Sequence, residues 1–214
     1  MTVDVKICGI TEAEHAHFAA KAGARWLGFV FFEKSPRNLT IEAARSLGQK
    51  LPTGPKRVGV FVNATDELLE DAIKALSLDV VQLHGNETPE DAQRIKDKFS
   101  VRIIKALGVS TLEDLKKADP FTGIADRILF DAKPPKDAVL PGGNAVSFPW
   151  DILKGQELPY RWMLAGGLSA ENAQQALKES GAQALDISSG VESSPGKKSN
   201  VMIEAFLQAV KSAT

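Results

Sequence analysis

The chain has 214 residues and a mass of 23.0 kDa, enough for one domain of ordinary size and tight for two, so one core is the default expectation. Hydrophobic residues at 43% and charged residues at 25% are ordinary globular values, which excludes collagen-like, fibrous and disordered chains. Lys+Arg 26 against Asp+Glu 27 leaves a formal charge of -1, so no overall field draws the chain to nucleic acid or an anionic membrane, and any anion site has to be local.

The first β-rich run, VDVKIC, starts at about Val3 and ends on Cys8, the only cysteine. A lone cysteine rules out an internal disulfide framework, and the leader MTVDVKICGI carries charges inside its apolar stretch, unlike a signal peptide. Both point to a cytoplasmic protein. Asn-x-Thr sequons at Asn38, Asn63 and Asn86 are therefore read as chance matches. A helical segment over 11–22 follows, then WLGFVF from Trp26, a helix over 41–49, RVGVFV from Arg57, and a helix over 66–76. VVQLHG from Val80 leads into a helix over 89–99, then RIIKAL from Arg102 and RILFDA from Arg127. After a Pro/Gly-rich loop over 133–149 come WMLAGG from Trp162, a helix over 170–179, ALDISSG from Ala184 and a last helix over 202–211.

Strand-helix alternation implies a parallel sheet with right-handed crossovers, and eight units match a (β/α)₈ TIM barrel spanning 1–214 as a single domain. An open doubly wound sheet is the competing architecture, and the Gly-x-Gly-x-x-Gly turn expected after its first strand is missing. No apolar run reaches the roughly 20 residues that a membrane helix needs.

A barrel of this kind carries its site at the C-terminal ends of the strands. Period-two alternation puts Lys6 and Cys8 on one face, opposite Val5 and Ile7, and puts Gln82 and His84 together. It sets Lys105 against Ile104, Asp131 against Phe130, and Asp186 against Leu185 and Ile187. If the polar faces point inward, Cys8, His84, Lys105, Asp131 and Asp186 converge on one mouth. Taken singly, each reads better as a solvated strand end, or for Cys8 as a small buried hydrophobe, the commoner fate of a lone cysteine; five together mark a site.

Two loops suit a phosphate: Ala165-Gly166-Gly167-Leu168-Ser169 and Ser188-Ser189-Gly190-Val191 follow the seventh and eighth runs, where barrels often bind one. Their glycines let backbone N–H groups come close to an anion and their hydroxyls add donors; a tight turn at Gly166 and Gly167, with Ser169 as a helix N-cap, is the alternative. The nearby Gly190 to Lys198 stretch has five residues between its glycines and no Ser or Thr after Lys197, so it is not a nucleotide-binding loop. His15 and His17 are two apart on a helix and diverge, His84 has no ligand partner close in sequence, and so no metal is expected. No Gly-x-Ser-x-Gly elbow is present.

Six blocks in order carry a family resemblance: Lys6-Ile-Cys8-Gly-Ile-Thr11; Gly28-Phe-Val-Phe31 with Ser35-Pro-Arg37; Val81-Gln-Leu-His84-Gly85; Leu129-Phe-Asp131; Leu164-Ala-Gly-Gly-Leu168; and Asp186-Ile-Ser-Ser-Gly-Val-Glu192. Together they resemble phosphoribosylanthranilate isomerase over nearly the whole chain. The resemblance implies an Amadori rearrangement of N-(5-phosphoribosyl)anthranilate in tryptophan biosynthesis, without a cofactor, on a small phosphosugar substrate. It further implies Cys8 as general base, Asp131 as general acid, Arg37 on the anthranilate carboxylate, and Gly167, Ser189 and Gly190 around the phosphate. His84, Asp186, Gly166 and Ser188 are expected to line the same site. Lys6, on the face of Cys8, is a candidate cation to favour its thiolate, or else simply a partner for an inward carboxylate such as Asp186.

The family's usual Gly-Gly-Thr-Gly reads Gly142-Gly143-Asn144-Ala145 here, and its Phe-Asp-Trp reads Phe148-Pro149-Trp150, which bears on that loop's contacts and closing motion. Its Pro-Gly-x-Lys-Asp reads Pro195-Gly196-Lys197-Lys198-Ser199, a change expected to be tolerated. Another phosphosugar barrel, or a catalytically silent binding barrel, is the alternative reading. A monomer is expected, with a dimer as the alternative.

Overall fold

The computed structural model describes residues 2–133 and 147–213. Eight strands close into one parallel ring in chain order: β1 (Asp4–Cys8), β2 (Trp26–Phe31), β3 (Lys56–Phe61), β4 (Val80–Leu83), β5 (Arg102–Val109), β6 (Arg127–Ala132), β7 (Trp162–Leu164) and β8 (Ala184–Ile187). The expected barrel is therefore the observed one. The ring closes where Lys6 pairs in register with Asp186, 180 positions away.

Among the described residues, six α-helices lie outside the ring: α1 (Ala13–Ala22), α2 (Ile41–Gly48), α3 (Asp66–Leu76), α4 (Pro89–Phe99), α5 (Ala173–Ser180) and α6 (Asn200–Lys211). Their starts follow local chemistry. Thr40, Thr65 and Thr88 each accept a backbone N–H three residues on, a cap worth about 1 kcal/mol. α3 shows the packing rule, burying Leu69, Ala72 and Leu76 on one face while its Asp and Lys residues stay in water. Two connections differ. After β5 the chain winds as a 3-10 helix over Leu112–Phe121, and after β6 a 3-10 turn over Trp150–Leu153 buries Trp150 and Leu153. α5 starts three residues later than 170, because Asn172, not Ser169, begins it: the Asn172 side chain accepts from Ser169 N–H and donates to Gly167 carbonyl.

Two cores result. The larger fills the space between ring and helices, with Ile7, Phe29, Phe61, Leu83, Ile103, Phe130 and Leu185 pointing outward from the strands. The smaller sits inside the ring and takes Trp26, Val58, Val80, Ile104, Ala106, Leu129, Met163, Ala165 and Ala184 from seven strands. β1 contributes none of these; its inward residues are Lys6 and Cys8, and Cys8 packs on Val30 and Val60 above the apolar plug. Among the described residues, no helix is long and apolar enough to cross a membrane.

Candidate active site

Cys8 ends β1 at the rim, packed so closely that a Cβ on Gly28 of β2 would sit 2.8 Å from its Sγ and 3.1 Å from Lys6 Cε. Only glycine lets β2 approach there. Beneath it Lys6, 0% exposed, donates to Asp186 Oδ1 at 3.0 Å. Burial pushes the Cys8 thiol above its ordinary pKa; Lys6 pulls the other way and Asp186 reinforces burial. Lys6 itself is held above its ordinary value, since Asp186 and Cys8 together outweigh its burial. The expected Lys6 influence on Cys8 thus has the right sign without winning. Ser188 hydroxyl donates to the Cys8 carbonyl at 3.1 Å, so it holds the end of β1 and is not a free donor for a phosphate.

Asp131 sits on the inward face of β6, three strand steps from Cys8 around the ring. Ala132 N–H donates to its Oδ1 at 2.8 Å, while Oδ2 lies 3.5 Å from His84 Nε2. Gln82 Nε2 stands 3.1 Å from His84 Nδ1, which leaves the other ring nitrogen, Nε2, facing Asp131. His84 is consequently a neighbour of the Asp131 carboxyl group.

Lys105 does not join this mouth. Ile104 and Ala106 point into the barrel, which turns Lys105 outward, where its ammonium donates to Glu87 and to the Gly85 carbonyl, both at 2.8 Å, near the Phe121 ring. Glu87 in turn accepts from Asn63 and Gly85 N–H groups, tying the ends of β3, β4 and β5 together. The expectation that five polar residues converge is corrected to four of them, Cys8, His84, Asp131 and Asp186, with Lys6 and Gln82 below.

Arg37 follows β2 and crosses over Gly9, whose φ of 80° and lack of a side chain are both needed, because a Cβ would lie 2.6 Å from Arg37 Cδ. It is buried and already engaged: Nε and Nη2 donate to Glu192 Oε1 and Oε2 at 2.7 and 2.8 Å. Lys198 Nζ donates to Glu192 Oε1 at 2.7 Å and to Ser188 carbonyl at 2.9 Å. Burial raises the Glu192 pKa, but Arg37 and Lys198 together hold it below the ordinary range. Sequence reasoning gave neither Glu192 nor Lys198 a role. The available signal was Glu192 at the end of the Asp186–Glu192 motif and Lys198 within Pro195–Ser199, a stretch that folds as a hairpin, β9 (Glu192–Ser194) and β10 (Lys197–Lys198).

The two glycine loops meet at the rim, since a Cβ on Gly190 would fall 2.0 Å from Leu168 carbonyl oxygen. Gly166 and Gly167 both have positive φ, 90° and 64°, and make the tight turn. Ser189 and Gly190 lie in a 3-10 turn over Ser189–Val191. No partner among the described residues takes up the backbone N–H of Gly167, Ser189 or Gly190, which leaves donors for an anion. Among the described residues, no group of three or more His, Cys, Asp and Glu is placed to hold a metal. His15 and His17 go their separate ways, to Asn200 and to Lys50 carbonyl. Gly142 to Ala145 lie outside the described residues, whereas Phe148 and Trp150 are buried beside the 3-10 turn. Ser199, where an Asp is usual, caps α6 by accepting from Met202 N–H, a role in which Ser and Asp are near equals.

Chemically, the mouth offers a thiol and a carboxyl on separate strands, a guanidinium, and two loops of open N–H donors. A family model described as N-(5'phosphoribosyl)anthranilate (PRA) isomerase matches residues 5–209. The curated N-(5'-phosphoribosyl)anthranilate isomerase of Paramagnetospirillum magneticum is 48% identical over 211 residues, covering 99% of this chain and 98% of its own. A phosphoribosyl anthranilate isomerase structure from Thermotoga maritima superposes with TM-score 0.88 at 38% identity, covering 99% of this chain and 100% of its own. Another, in complex with reduced 1-(o-carboxyphenylamino)-1-deoxyribulose 5-phosphate, gives 0.85 at 37%, with the same coverage. A further T. maritima structure, of monomers generated from the dimeric protein, gives 0.84 at 37%, covering 99% and 100%.

Proposed function

The chain belongs to the N-(5'-phosphoribosyl)anthranilate isomerase family, and from that premise we propose that it converts N-(5-phosphoribosyl)anthranilate to 1-(2-carboxyphenylamino)-1-deoxyribulose 5-phosphate by an Amadori rearrangement. Asp131 delivers a proton to the furanose ring oxygen as the C1–O bond breaks, giving a Schiff base. That cation acidifies the C2 hydrogen, which the Cys8 thiolate removes to give an enolamine that tautomerises to the ketone. A buried thiolate is the stronger base for being harder to form, and Lys6 opposes the burial that suppresses it. The phosphate is held by the N–H groups of Gly167, Ser189 and Gly190, at a rim where two loops pack together. Arg37 takes the anthranilate carboxylate, on the edge of the guanidinium that Glu192 leaves open.

The observation that carries this reading is the placement of Cys8 and Asp131 on inward faces at the rims of β1 and β6, with buried sulfur and carboxylate opening to one mouth. The test is turnover: purified protein should consume phosphoribosylanthranilate, seen as loss of anthranilate-type fluorescence, and should restore growth without tryptophan to an auxotroph lacking this isomerase. Absence of both would overturn it. The reading carries with it a single-domain cytoplasmic monomer, which a single cooperative unfolding transition, cell fractionation and sedimentation check; the T. maritima relative is dimeric.

A further inference from the structure

Three buried ionic groups from two loops meet beside the mouth, and their arrangement says more than that Arg37 binds an anion. Glu192 and Lys198 are register partners across the β9/β10 hairpin, so the hairpin itself points one at the other. Glu192 occupies the side edge of the Arg37 guanidinium, formed by Nε–H and one N–H of Nη2. What remains is the end edge, one N–H each from Nη1 and Nη2, which is the other edge able to grip a carboxylate with two parallel bonds. The hairpin is itself seated on the loop that carries Arg37: Gly196 N–H donates to Glu192 Oε2 at 3.2 Å, and a Cβ on Gly196 would lie 2.5 Å from Pro36 carbonyl oxygen.

Charge counting gives Lys198 its part. Arg37 paired with Glu192 alone is neutral and would hold little attraction for an anionic ligand. Lys198 adds one positive charge, leaving the cluster at a net +1 in a buried setting where that charge is poorly screened. Burial works against the charge on Lys198 and pulls its pKa down, yet Glu192 Oε1, Ser188 carbonyl and Ser188 Oγ lie at 2.7, 2.9 and 3.4 Å, the acceptor set of an ammonium. We propose that Glu192 and Lys198 are positioning residues for Arg37: Glu192 fixes one guanidinium edge so that only the end edge is presented, and Lys198 neutralises Glu192 so that the presented edge keeps its charge. Preference for a carboxylate on the substrate's aromatic ring is thereby set by the β9/β10 hairpin, not by Arg37 alone. This rests on the assignment of Arg37 to that carboxylate.

The experiment compares two ligands by calorimetry: the reduced arylamino sugar phosphate made with anthranilate, and its counterpart made with aniline, which lacks the carboxylate. The wild type should prefer the first by at least about tenfold. Glu192→Asp retracts the carboxylate by one methylene at constant charge, and Lys198→Met removes the charge. Each should lose most of the preference and still bind the aniline ligand within about threefold of wild type, with KM rising roughly tenfold or more and kcat changing much less. Lys198→Arg should restore the preference. Folded Glu192→Asp and Lys198→Met proteins that keep the wild-type ratio would overturn the inference while leaving Arg37 its role. If Arg37→Lys also keeps the ratio, the carboxylate is held elsewhere and the parent assignment falls too.

Discussion

On the β1/β8 side of the mouth, Lys6, Asp186, Arg37, Glu192 and Lys198 form buried ion pairs around Cys8 at 2.7 to 3.0 Å. On the β4/β6 side, Gln82, His84 and Asp131 meet without a lysine or arginine among the described residues, and the buried ion pair of Lys105 with Glu87 is turned to the outside of the wall. The difference suits the two tasks proposed for Cys8 and Asp131. A base that must become a thiolate gains from cations nearby, and a group that must deliver a proton is served by their absence, because an ammonium favours the ionised form of any carboxyl it faces. One barrel thus keeps two electrostatic environments a few strands apart.

The strongest way to break the comparison is to remove its two centres. Cys8→Ala and Asp131→Asn should each lower turnover by about 10²- to 10⁴-fold, the usual worth of general acid-base catalysis, while the reduced product analogue still binds. Turnover within threefold of wild type in either variant would sink that assignment.

Next in size is Lys6→Met, which strands Asp186 as an unpaired buried charge and should destabilise the fold by about 3 to 5 kcal/mol in urea unfolding. It also removes the largest influence that lowers the Cys8 pKa, so the rising limb of kcat/KM against pH should move to higher pH, since only the thiolate acts as base. Adding Asp186→Asn should recover much of the stability. The signs for the wild type agree: Cys8 and Lys6 are both raised in the folded state, so their contribution to stability is complete at neutral pH. It is lost only in the alkaline range, from the ordinary thiol value upward. A denaturation midpoint that falls between pH 6 and 8 for this reason is not expected.

Lys105→Met sharpens the contrast from the other side. It breaks a buried pair outside the wall, so about 2 to 4 kcal/mol of stability should go while kcat/KM at 25 °C stays within about threefold. A collapse of kcat in well-folded protein would mean that Lys105 reaches the mouth. The smallest change is Ser199→Asp at the α6 cap, far from both environments, with an expected shift in unfolding free energy within about 0.5 kcal/mol.

Much of this was legible beforehand. Strand starts at Trp26, Val80, Arg102, Arg127, Trp162 and Ala184 are where the sequence places them, because β-rich runs and their alternation are properties of a few neighbouring residues. Cys8, Asp131, Asp186 and His84 were found by the same parity. The winding over Leu112–Phe121 was not: its buried residues Leu115, Ala118 and Phe121 do fall on one helical face, but the fourth, Asp114, is polar and Pro120 sits near the end, so the apolar stripe is short and interrupted. Lys105 shows the limit of parity more sharply. Alternation states which residues share a face, and the register Gln82 to Ile104 with the neighbouring strand decides which face is inside.

The sequence by itself determined the barrel, its order of elements, the polar strand ends and the family, because local periodicity and motif order need no knowledge of what lies across the ring. Only tertiary structure decided the pairings. Lys6 with Asp186 and Arg37 with Glu192 are 180 and 155 residues apart, and they meet because closing the ring sets β8 beside β1 and its hairpin over the loop after β2. Removing those charges from water leaves each with few partners at hand, so the closure of the barrel, more than any stretch of chain, assigns which edge of Arg37 stays free and which way Lys105 points.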